Sequence, residues 1–115
     1  MKANQQALVA RFDGFIQKLK ERLQEIMREA EQGIAGLREQ NPTDFLPITN
    51  AMSGLDARVR VLEDKLESTW DDQIEDKYDD ADILDHGLAQ KTDARMWIES
   101  TWNTWKAKQA ADFYR

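Results

Sequence analysis

The stretch from Leu8 to Leu37 constrains this chain more than any other. Apolar residues stand at Leu8, Phe12, Phe15, Leu19, Leu23, Ile26, Ala30, Ile34 and Leu37, in steps of four, three and four that repeat every eleven residues. Eleven residues in three turns is about 3.67 per turn, close to the α-helical period, so the stripe stays on one face of a nearly straight helix. At roughly 1.5 Å per residue the stripe is about 45 Å long. It has to be buried against something of similar length.

The next segment offers a partner with a different period. Asn41-Pro42-Thr43-Asp44 breaks the first helix, because proline disfavours helix in the residue before it and Thr and Asp supply turn oxygens. Pro47 suits the first turn of a new helix, where its missing N–H costs little. Phe45 and Leu46 are expected to plug the end of the bundle. Ile48, Met52, Leu55, Val59, Leu62 and Leu66 then follow a heptad, and Trp70, Ile74 and Tyr78 continue in steps of four. An eleven-residue stripe and a seven-residue stripe drift in opposite senses. They do not stay in register as a two-stranded coiled coil, whereas three or more helices absorb the mismatch.

The third segment is harder to bound. Asp85-His86-Gly87 reads as a helix end with Gly in a left-handed cap, and Thr92-Asp93 as a new start. Helical spacing of Ala81, Leu84 and Leu88 allows a continuous helix instead. The last helix carries Ala94, Ile98, Trp102 and Trp105 on one face, a shorter stripe than that of the first helix. The expected fold is therefore all-α, a single domain over residues 1–115. It is an elongated antiparallel three-helix bundle, a long hairpin plus a shorter C-terminal helix, with helices at about 5–40, 48–79 and 81 or 92–112. The short third helix would leave part of the hairpin bare, so a dimer is expected to cover it, with Leu8, Phe12, Phe15, Leu19, Leu23 and Ile26 as the self-association face. Gly33 and Gly36 are expected to fray the end of the first helix.

Composition sets the function classes. The chain has no cysteine and a single histidine, His86. That excludes disulfides, thiolate zinc and paired Glu-x-x-His sites within one chain. No phosphate loop, dinucleotide fingerprint or serine-nucleophile motif is present, so no catalytic residue, cofactor or metal ligand is assigned and no enzymatic activity is expected. The longest apolar run is Ala7 to Ala10. It is too short for a membrane span or a signal-peptide core, and a cytoplasmic protein is expected. A net charge of −6 argues against nucleic-acid binding.

That charge is uneven. Residues 63–85 hold eleven acids and two lysines, a net of −9 that leaves the rest of the chain at +3. Asp72, Asp76 and Asp80 form one row at four-residue spacing, with Asp71, Glu75 and Asp79 beside it. Such rows repel and weaken a helix slightly. They serve either as a solvated face or as a docking surface for a basic partner protein. The candidate partner-binding residues are Asp72, Asp76, Asp79, Asp80 and Trp97. Asp80-x-Asp82 opens like a calcium loop, but the loop's sixth position is Asp85 rather than Gly and its twelfth is Lys91 rather than Glu, so an EF-hand fails. Trp97, Phe113 and Tyr114 with Lys106, Lys108 and Arg115 would form an aromatic-basic edge if exposed. The leading expectation is a non-enzymatic helical scaffold that self-associates and offers an acidic surface to a partner. The rivals are an amphipathic protein that coats a lipid or polymer granule, and a metal- or small-ligand-binding bundle.

Overall fold

A computed structural model describes residues 2–113, and the side chains of residues 6–113. Helix α1 spans Lys2–Gln40 and α2 spans Leu46–Trp70, which runs on into a π-helical turn over Asp71–Glu75. Helix α3 spans Ala81–Phe113. The described residues form a rod of 60 × 20 × 16 Å, and each of the three helices packs on the other two. Contacts fix the directions. Gln90 reaches Val9 and Trp105 reaches Glu31, so α3 runs alongside α1 in the same direction. Lys91 reaches Glu67 and Lys106 reaches Asp56, so α2 runs against both.

Both stripes on the hairpin form the core. Phe12, Leu19, Leu23, Ile26, Ala30 and Ile34 of α1 are buried, as are Ile48, Val59, Leu62, Leu66, Trp70 and Ile74 of the second segment. Leu8, Phe15 and Leu37 are half-buried at the rim. Ile16 joins the buried set. The eleven-residue pattern places Phe15 in that turn, but a third helix widens the covered arc and takes in its neighbour.

Three expectations need correction. First, α3 is not short. It runs unbroken through Gly87 and Thr92 for 33 residues. The break lies before it, between the π turn and Ala81. Gly87 does not sit in a left-handed cap, since no glycine has positive φ. A Cβ there would lie 3.1 Å from Trp70 Nε1 and 3.2 Å from Ile74 Cδ1. Its seam position is filled by two large side chains from across the interface, which is why the apolar pattern of α3 looks weak in its first three turns.

Second, a full-length α3 covers the hairpin within one chain. That removes the short third helix from which a second copy was argued, and each helix of the hairpin packs on α3. Third, α2 does not stay α-helical to residue 79. Steps of four drift about 40° each on an α-helix, whereas a wider π turn keeps such residues close to one line. The amide of Asp76 donates to the carbonyl of Asp71 at 2.9 Å, an i→i−5 bond, and Ile74 stays buried. Elsewhere, α1 continues past Gly33 and Gly36 to Gln40 without fraying. Phe45 packs at the bundle end against Phe113, but Leu46 is 63% exposed.

Candidate functional site

The two junctions of the chain lie at opposite ends of the rod, and the acids collect at one. Asp80 ends the second junction by capping α3, where its Oδ1 accepts the amide of Asp82 at 2.9 Å. Its carboxylate therefore has a structural task. Asp72, Asp76 and Asp79 are exposed and no ion pair neutralises them among the described residues. The π turn carries Asp71 and Glu75 as a hydrogen-bonded carboxyl pair. That bond, then desolvation and the charge of Asp71, hold the Glu75 carboxyl above the usual glutamate range.

Acids in the middle of the rod behave differently. Asp56 of α2 accepts the indole N–H of Trp102 at 2.6 Å and the ammonium of Lys106 at 2.9 Å. Burial pushes its carboxyl up, but those two hydrogen bonds and the Lys106 charge outweigh burial and hold it below the aspartate range. Glu31 of α1 accepts the indole N–H of Trp105 at 2.9 Å. The two indoles stack with centroids 5.0 Å apart, so one aromatic pair ties α3 to both other helices. Glu67 takes Lys91 at 2.9 Å and Arg95 at 3.2 Å along the α2–α3 seam. Glu63, desolvated and facing Glu99, is pushed up from its ordinary value.

Trp97 is not on a free aromatic edge. It is half-buried on the core, with Lys20 Nζ 5.1 Å from its ring centroid. Phe113 is likewise packed, its centroid 4.3 Å from that of Phe45. Tyr114 and Arg115, the other members of that edge, lie outside the described residues. The proposed self-association residues Phe12, Leu19, Leu23 and Ile26 face this chain's own α2 and α3, and Leu8 and Phe15 pack at the rim. The structure thus brings Asp72, Asp76, Asp79 and Asp80 to one end and separates them from Trp97, which lies along the shaft.

The chain matches no protein-family model, no curated protein and no solved structure.

Among the described residues no group of three or more His, Cys, Asp or Glu side chains is placed to hold a metal ion. No helix among them is long and apolar enough to cross a membrane. The large exposed apolar side chains are Leu46 and Val61 on α2 and Leu88 and Met96 on α3. The α2 pair is about 22 Å apart along the helix, so it makes no continuous patch.

Sequence reasoning missed a cleft of about 420 Å³ at the acidic end, between the first turns of α1 and α3. Asp13 and Asp82 line it together with His86 and Gln90. No local pattern marks it, because its walls are about seventy residues apart in the chain. The indole acceptors Asp56 and Glu31 escaped for the same reason. The π turn did leave a trace, the four-residue spacing of Trp70, Ile74 and Tyr78.

Proposed function

We propose that this protein is a non-enzymatic interaction module that presents the acidic end of a rigid three-helix rod to a basic partner. One observation carries the reading: Asp72, Asp76 and Asp79 are exposed without ion-pair partners among the described residues, whereas Asp56, Glu31 and Glu67 on the shaft are spent on tryptophans and cations. Unpaired like charges cost stability and offer nothing to the fold. A cationic partner relieves that cost on binding, and the field at the rod end steers its approach.

The reading gives the Leu8–Ile26 stripe no part in self-association, because α2 and α3 already occupy it. Opening the bundle would expose side chains each worth about 1.5–3 kcal/mol of burial. A granule-coating protein would need the same opening, so the closed core favours the docking role.

The test is a calorimetric titration of the full chain with octalysine and with octaglutamate at low and high salt. Octalysine should bind at low salt, weaken steeply as salt rises, and weaken further in a triple variant carrying Asp72→Asn, Asp76→Asn and Asp79→Asn. Octaglutamate should not bind. Absence of octalysine binding at low salt, or binding that ignores the triple variant, would sink the proposal.

A further inference from the structure

The π turn and the junction after it sort their residues by charge. Six of the ten residues from 71 to 80 are acids. The other four, Gln73, Ile74, Lys77 and Tyr78, all line one small pocket together with Leu8 and Arg11 of α1. No carboxylate lines it, and its wall is mostly polar. Arg11 enters from one element and Lys77 from the other. Neither the guanidinium nor the ammonium has a hydrogen-bond or ion-pair partner among the described residues. A solvated cation alone signals nothing, but carboxylates crowd this end of the rod and either cation would relieve them. The spacing of 73, 74, 77 and 78 keeps the acids off the pocket face instead. Two like charges are thus brought to one pocket, and their repulsion is removed by an anion between them.

We propose that this pocket binds one phosphate-type oxyanion. The site goes beyond the acidic-end reading and does not depend on it. The Arg11 guanidinium is a planar fork that matches two oxygens of a tetrahedral anion, and Lys77 adds a point charge. The Gln73 amide and the Tyr78 hydroxyl supply neutral donors. A volume of about 130 Å³ holds a single small anion, well below the roughly 300 Å³ at which pockets for larger ligands begin. The neighbouring acids oppose every anion at long range, so the affinity is low, with a Kd on the order of 1 mM. Free phosphate and a phosphoryl group on a larger molecule present the same chemistry to these donors.

The experiment titrates the full chain into inorganic phosphate and into O-phosphoserine, followed by phosphorus NMR at fixed ionic strength in chloride. Inorganic phosphate should bind in the millimolar range. Arg11→Gln and Lys77→Gln, both at exposed positions, should each weaken it roughly tenfold, the effect of one lost charge-assisted hydrogen bond, with helicity by circular dichroism unchanged. Asp72→Asn, beside the pocket but not lining it, should leave binding within about twofold of wild type or strengthen it. Binding of phosphate alone identifies the free ion as the ligand, and binding of both probes extends it to a phosphoryl group carried by a larger molecule. Absence of millimolar binding of either probe overturns the site, as does binding that survives both Arg11→Gln and Lys77→Gln. The acidic-end reading stands in either case, because octalysine tests it separately.

Discussion

Trp102 and Trp105, in the second half of α3, each hand their indole proton to a carboxylate on another helix. Trp70, buried as deeply at the start of the π turn, has no protein acceptor for its own. Yet Trp70 lies next to the most acidic stretch of the chain. Its ring takes Lys91 Nζ at 4.4 Å on one face, and Gly87 closes against its N–H edge. The difference teaches how acids are allotted. Around the tryptophan pair carboxylates turn inward and are consumed by the fold. Around Trp70 the π turn carries them outward and the bundle does without them.

The largest way to break this contrast is at Gly87. Gly87→Leu drives a side chain into Trp70 and Ile74 and should lower stability by about 2 kcal/mol, by the cost of overpacking. Chemical denaturation measures it, and an unchanged midpoint would mean that the acidic end is looser than its 3.1 Å approach implies. Next is Asp56→Ala, which strands the indole N–H of Trp102 and should cost about 1 kcal/mol. The same assay reads it.

Comparing Trp70→Phe with Trp102→Phe sharpens the point. The first removes a donor that nothing accepts, and the second removes one that Asp56 uses. Trp70→Phe should therefore be the milder change, by roughly 1 kcal/mol. A smaller cost for Trp102→Phe would show that Trp70 has a partner after all.

Acidity separates the two regions again, with opposite signs. Asp56 has its pKa lowered by folding, so its stabilisation is present above an unfolded value of about 3.9 and is lost as pH falls through the lower folded value. Glu75 and Glu63 have theirs raised. Their contribution is full below about 4.3 and disappears as pH rises through their folded values. Melting temperature should rise on mild acidification from pH 7 and then fall below about pH 4. Glu75→Gln should flatten the first limb and Asp56→Asn the second. The smallest effect belongs to Asp72→Asn with Asp76→Asn, which should stabilise the rod by a few tenths of a kcal/mol, since repulsion at that spacing is weak. A loss of stability there would mean these acids have partners in the fold.

Much of the bundle was legible in advance. The eleven-residue stripe named most of the α1 core, and the heptad followed by Trp70 and Ile74 named that of the second segment. Length and type of these helices follow from periodicity alone. The sequence misled at α3 because its seam is lined by Gly87 and by the stems of Gln90 and Lys91, residues that carry no hydrophobic signal. Only the neighbours Trp70 and Ile74 show why a missing side chain belongs there. The acidic row was legible as composition, although its division into spent and unspent carboxylates was not.

Periodicity by itself determined that this chain is helical, long and amphipathic, because burying one stripe per helix is a local property of spacing. It also determined the surplus of acid between residues 63 and 85. Tertiary structure decided the rest: that α3 spans the hairpin and packs on both of its helices, that Asp56 and Glu31 serve indoles 46 and 74 residues away, and that Asp13 and Asp82 line one cleft. The physical reason is that a side chain's partner across an interface depends on register between helices. Register is set by contacts summed over all three helix pairs, and each of those contacts needs a second segment.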